Sequence, residues 1–210
     1  MRYLIAAVAL LALTAAAPAP TELDPGGPYA RPILEGGGPE AYGEAKAPPV
    51  KAVTAGDLTV TLEVSHLSDV QARFGSEIRS EGEAGGASLW LCYVSAEAPD
   101  VFVWFVSDSE MGGPEHEVTA VALERAPGLK RGDCPVFPAG TAVSFGVPGL
   151  DATVADMVKA LGPATPDAEG LAGYMFIGQI VPGYDLGQDV RYKFVDGKAV
   201  AVVVSQETTQ

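Results

Sequence analysis

The chain has 210 residues, of which 13 are basic and 27 acidic, for a net charge of −14. That balance argues against nucleic acid and anionic membrane as partners, because neutralising phosphate needs clustered Lys and Arg. Asparagine does not occur, so there is no N-glycosylation sequon, and scarce Lys beside abundant Ala, Gly, Pro and Val suggests a high-GC bacterial source.

In chain order, Met1-Arg2-Tyr3 leads into an apolar run over residues 4–13 and then small residues through Ala19. One charge, a short apolar stretch and an Ala-x-Ala exit, at Ala15 and Ala17 or at Ala17 and Ala19, read as a signal peptide over 1–19. The run is shorter than the roughly 20 apolar residues of a membrane span, so no integral membrane segment is expected after cleavage. No cysteine lies near the cleavage site to carry a lipid anchor. Cleavage removes Arg2 and no acid, which makes the mature chain one unit more negative than the −14 of the whole. The expected location is periplasmic or secreted.

Residues 20–52 carry Pro25, Pro28, Pro32, Pro39, Pro48 and Pro49 with Gly26, Gly27 and Gly36 to Gly38, and show no apolar periodicity. Such a stretch is expected to be a disordered tether, since it cannot bury enough surface to offset its ordering entropy. The folded part then divides into a first α+β repeat over 53–126, a linker over 127–142 carrying Cys134, and a second repeat over 143–207. In the first, a strand over 58–64 leads to a helix capped by Ser65 or Ser68, striped by Leu67, Val70 and Phe74 and stopped by Gly75. In the second, a strand over 143–147 leads to a helix capped by Asp151 or Thr153, striped by Leu150, Val154, Met157, Val158 and Leu161 and ended by Gly162-Pro163.

Three strands are expected after each helix, over 89–94, 101–106 and 118–123, then over 174–177, 190–195 and 199–204. The last two are joined at Asp196-Gly197, a strong type I′ hairpin signal because both positions need positive φ. Strand-rich runs with one helix each, repeated at a spacing of about 85 residues, predict an α+β fold from a duplicated unit. Cys92 and Cys134 are the only cysteines, and an even pair in an exported chain reads as a disulfide.

A short capped helix ending in Leu161-Gly162-Pro163, an aromatic strand, and a strand ending in Asp196-Gly197-Lys198 before a Val-rich strand resemble the BamE-like repeat. In tandem the same half-unit is similar to the β-lactamase inhibitor protein family. Residues 143–205 carry the resemblance best; residues 58–124 carry it more loosely, with Phe74-Gly75 in place of the Leu-Gly pair. It implies two tandem helix-plus-antiparallel-sheet halves, helices on one sheet face, a binding surface on the other, and action by protein contact without catalysis. The chain lacks the lipidated cysteine of BamE.

The strand pattern makes its own argument about binding. Over 101–106 both alternating faces are apolar, Val101, Val103 and Phe105 on one and Phe102, Trp104 and Val106 on the other. A sheet face in water should be polar, so this sheet is either covered on both sides or exposes an aromatic patch. Over 190–195, Tyr192 and Phe194 alternate with Arg191 and Lys193. Trp90, Phe102, Trp104 and Tyr192 are therefore candidate anchors for a protein partner, since large aromatics give area at small entropic cost.

A second candidate is the acidic loop over 107–117, where Asp108, Glu110, Glu115, His116 and Glu117 could serve a contact surface, a metal or acid–base chemistry. It lacks calcium-loop spacing and offers a single His and no Cys for zinc. No Gly-x-Ser-x-Gly, Cys-x-x-Cys, His-Glu-x-x-His, Walker or dinucleotide motif occurs, so no catalytic residue, metal site or cofactor is assigned. The expectation is a non-catalytic interaction module acting through an aromatic sheet face. The alternative is a small metal-dependent or hydrolytic enzyme using the loop around His116.

Overall fold

The computed structural model describes residues 25–82, 87–108, 115–130 and 132–210. The expected signal peptide lies outside them, as does part of the acidic loop, including Glu110 and Gly112-Gly113-Pro114. No described helix is long and apolar enough to cross a membrane.

Two antiparallel meanders dominate. The first is β5 (Ser88–Val94), β6 (Val101–Asp108) and β7 (Ala120–Arg125); the second is β9 (Leu171–Val181), β10 (Tyr184–Val195) and β11 (Lys198–Thr209). They meet where β7 pairs antiparallel with β11, Val203 opposite Ala122. The short strand β4 (Arg79–Glu81) closes one edge on β5, and β1 (Gly43–Glu44) lies parallel to β9 at the other. One continuous eight-stranded mixed sheet results. A smaller sheet joins β3 (Leu58–Val60), β2 (Val53–Ala55) and β8 (Val143–Ser144).

This overturns the expected α+β fold of two tandem helix-plus-sheet halves. Among the described residues strand takes 41% and helix 11%, so the molecule is a sheet with short helices attached. The helices α1 (Arg31–Leu34), α2 (Leu67–Phe74) and α3 (Val154–Leu161) have 4, 8 and 8 residues. Such lengths are marginal alone and depend on the sheet they pack against. The strands of the second meander reach 11 and 12 residues, at least twice the expected length. Ladder pairing carries them through Gly178 and Gly187, which a local reading takes as loop.

The order of helix then meander still recurs, with matching details. Thr153 caps α3, its hydroxyl accepting the Asp156 N–H while the Asp156 carboxylate accepts the Thr153 N–H. At α2 the cap position falls to His66, not Ser65 or Ser68, and Asp69 accepts the His66 N–H. The Ser65 hydroxyl instead accepts the Thr61 N–H. Each helix ends at a glycine of positive φ, Gly75 and Gly162. The carbonyl of each accepts a buried tyrosine hydroxyl from the meander that follows, Tyr93 at 2.7 Å and Tyr174 at 2.6 Å. At Asp196-Gly197 both residues have positive φ, as the type I′ turn requires.

The sheet buries both faces. On the helix side, Leu91, Tyr93, Phe105, Tyr174, Val190, Tyr192 and Val202 join Leu67 and Val70 of α2 and Met157 of α3. On the other side, Trp90, Cys92, Phe102, Trp104, Ala122 and Val203 lie under Ala30 and Ile33. The cover on that side comes from Ala30, Ile33 and Leu34 with Cys134 and Leu129, so this part of the N-terminal stretch is folded onto the sheet and is not the expected tether. The Cys92–Cys134 disulfide pins the 127–142 segment to β5, and beside it the Val94 N–H donates to the Pro135 carbonyl while the Phe137 N–H donates to that of Val94.

Candidate binding groove beside the N-terminal strap

Residues 27–37 cross the sheet as a strap built around α1, and two buried charges hold its ends. Glu124 on β7 is fully buried, and its Oε2 accepts the N–H groups of Tyr29 and Ala30 at 2.9 and 2.8 Å. Arg191 on β10, 7% exposed, donates through Nη1 to the carbonyls of Ile33 and Gly37 at 2.8 and 2.9 Å. The anion therefore meets the positive end of the helical turn and the cation its negative end, satisfying backbone groups that a four-residue helix cannot satisfy internally. Gly27 is required at the first contact, since a Cβ there would stand 1.9 Å from Glu124 Oε1.

Burial pushes the Glu124 carboxyl above its ordinary pKa, while the N–H groups of Ala30, Tyr29 and Gly27 pull it back. Burial likewise raises Asp189, against the lowering pull of Arg191 and Ser205. Asp189 accepts from Arg191 Nε at 2.7 Å and from the Ser205 hydroxyl at 3.1 Å, and Arg191 Nη2 donates to Ser205 at 2.8 Å. Every nitrogen of the guanidinium is thus engaged by the protein itself.

Beyond the strap the sheet face opens into a groove of about 690 Å³. Leu34 and Gly36 of the strap form one wall, and strands from both meanders form the floor. Apolar contact is offered by Val106, Ala120, Met175 and Ile177, and Ile177 is 71% exposed. Among the described lining residues Arg191 is the one basic side chain, and it is paired with Asp189; on the acidic side stand Glu207, Asp108 and Glu35, the last ion-paired with Arg31 at 2.7 Å. The groove is accordingly mixed, its apolar side chains set among Ser88, Thr119, Gln188 and Ser205, and acidic in field. The small side chains of Ala120, Gly187 and Ser205 let a ligand approach the backbone closely.

Of the residues singled out from sequence, Asp108 lines this groove, and the candidate anchors lie elsewhere. Trp90, Phe102 and Trp104 are 3%, 0% and 0% exposed, under the strap and the disulfide-linked segment. Tyr192 is buried on the opposite, helix-side face. These four are core, so the sheet presents no aromatic docking face through them. Burial also raises the Tyr192 hydroxyl well above its usual range. Glu115 and His116 stand where the end of the acidic loop pairs with the approach to α2: Leu67 N–H donates to the His116 carbonyl and Val118 N–H to that of Ser65. The carboxylate of Glu115 lies 3.3 Å from His66 Nε2, and Asp69 lies 3.5 Å from His66 Nδ1. His116 holds a φ of 59° with its Nδ1 buried and unpartnered. Among the described residues no three His, Cys, Asp or Glu side chains gather as a metal site.

The strap and its two clamps went unseen in the sequence. The signal was available in part: Glu124 sits between Leu123 and Arg125 at the end of an apolar strand, on the face shared by Phe102, its cross-strand partner. A charge at a core-facing strand position asks for a partner, but nothing local says that the partner is backbone about 95 residues away. Compared with protein-family models, curated proteins and solved structures, the chain matches none.

Proposed function

We propose that this is an exported, non-catalytic binding protein whose contact surface is the groove beside the strap, and that it takes a cationic segment of a partner protein with apolar side chains. The observation that carries this reading is the charge balance of the groove: apolar side chains set among polar ones, more acids than bases among the described lining residues, and an arginine consumed by internal bonds. A basic, apolar segment would regain Coulomb energy from the acids while burying Ile177 and Met175. The Cys92–Cys134 bond supports an oxidising compartment outside the cytoplasm. The resemblance of residues 143–205 to the BamE-like repeat, whose members act by protein contact, points the same way.

Calorimetry of the oxidised protein with a short peptide of alternating Lys and Leu tests the reading, with a Glu–Leu peptide of the same length beside it. Only the cationic peptide should bind. Glu207→Lys, in the groove, should weaken it severalfold, whereas Glu77→Lys, an equal charge change at an exposed site near α2, should not. Equal weakening by both would reduce the effect to net charge and overturn the groove.

A further inference from the structure

The two edges of the large sheet are protected very differently. At one, β4 is three residues long and two of them, Arg79 and Glu81, are charged. At the other, β1 pairs Gly43 and Glu44 with Tyr174 and Met175, so among the described residues β9 from Phe176 onward has no outer neighbour in the sheet. Charged or very short edge strands discourage pairing with another chain, and this stretch has neither protection. No charged residue occurs between Glu169 and Asp185, in a chain of net charge −14. Ile177, Val181 and Tyr184 are exposed along this hairpin.

The phase of the strand says which backbone groups face out. Ala45 N–H donates to the Met175 carbonyl from the β1 side. Alternate residues share that direction, so Ile177 and Gln179 also turn their N–H and C=O groups outward, while Phe176 and Gly178 face β10. A register shift next to Tyr184 ends this phase.

We propose that two copies of the protein pair antiparallel through this edge, on a two-fold axis at Gly178. In that register Ile177 of one copy lies opposite the partner's Gln179, and the reverse, so each pair exchanges two backbone bonds. Gly178 then meets its own counterpart at the position of closest approach, where the absence of a side chain is an advantage. The Phe176 ring already lies over Gly178, within 2.5 Å of where a Cβ would be, so the two rings come side by side across the axis. A partner of other sequence needs no such symmetry; a second copy supplies it by construction. Lack of charge at the edge makes it the place where two strongly acidic chains can meet with least repulsion. The dimer does not depend on the groove reading, and its test is separate.

Sedimentation equilibrium of the oxidised protein, from micromolar to millimolar concentration, should show the mass rising toward twice the monomer. Gln179→Pro removes an outward donor and no internal ladder bond, and should raise the dissociation constant about tenfold or more, because the symmetric contact loses the donor twice. Ile177→Lys should act likewise by placing an edge cation in each copy. Val64→Lys, at a site 64% exposed and away from the edge, should leave the dimer unchanged. A monomer at every concentration overturns the proposal, as does a dimer that survives Ile177→Lys or is weakened equally by Val64→Lys. Should Gln179→Pro disturb folding, seen by circular dichroism, Ile177→Lys at its exposed site carries the test.

Discussion

The two meanders share topology and differ in cover. In the first, β5, β6 and β7 are buried on both faces along nearly their whole length, by α2 on one side and by the strap and disulfide segment on the other. In the second, β9, β10 and β11 are covered at their base but run past the end of β7, whose pairing with β11 stops at Ala120 opposite Ser205. Cover, and not strand pairing, separates the first meander, which lends the groove only the ends of its strands, from the second, which supplies the rest of the floor and the open edge. Sequence alternation follows the same division: β6 is apolar on both faces, whereas Asp189, Arg191 and Lys193 of β10 alternate with Val190, Tyr192 and Phe194. The polar residues on that face of β10 serve internal bonds, Arg191 being buried against the strap and paired with Asp189.

The largest effect should come from removing the cover of the first meander. Cys92→Ser with Cys134→Ser opens a loop of sequence separation 42 and should cost about 4 kcal/mol, read as a lower denaturant midpoint than that of the oxidised parent. Reduction of the parent should reproduce it. An unchanged midpoint would mean that segment 127–142 holds the sheet without its covalent tie.

The strap clamps give a smaller effect with a pH signature. Glu124→Ala leaves the Tyr29 and Ala30 N–H groups buried without an acceptor, a loss of roughly 1–3 kcal/mol, and hydrogen exchange in residues 27–37 should rise first. Because burial raises the Glu124 pKa, its stabilising share is full below the ordinary carboxylate pKa and is lost as pH rises through the folded value. Asp189, raised by burial on the same face, has the same sign. The stability of the parent relative to Glu124→Gln should therefore fall from acid to neutral pH. A flat difference would show that the strap N–H groups fully offset burial.

The smallest expected effect compares the helices. Thr153→Ala removes the hydroxyl that accepts the Asp156 N–H and should cost about 1 kcal/mol by thermal unfolding. Cap loss at α3 should loosen the second meander and leave exchange in β5 and β6 unchanged, keeping the two halves distinct.

Much of the local structure was legible because its causes are local. Thr153 with Asp156, the glycine stops at Gly75 and Gly162, and the Asp196-Gly197 turn depend on residues within a few positions of one another. The double apolar alternation over 101–106 likewise stated that both faces need cover or a partner. It could not say which, since the choice rests with a distant segment. Trp104 is core because Ala30 and Ile33 lie on its face of the sheet, and those residues sit in a Pro- and Gly-rich stretch with no apolar period of its own. The groove was not legible at all: Ala120, Ile177 and Glu207 become neighbours only through the β7–β11 and β9–β10–β11 ladders.

By itself, then, the sequence determined the α3 cap region, the two glycine stops, the Asp196-Gly197 turn and the pair of cysteines, all set by short-range sterics, hydrogen bonding and residue chemistry. Tertiary structure alone decided that the two meanders fuse into one sheet, that the N-terminal segment folds back across it, and which aromatic residues are core. Those outcomes depend on burying apolar faces against whatever chain can reach them, a non-directional driving force that no local pattern encodes. They also depend on placing Glu124 and Arg191 against the backbone ends of a four-residue helix, a match that exists only once distant segments have met.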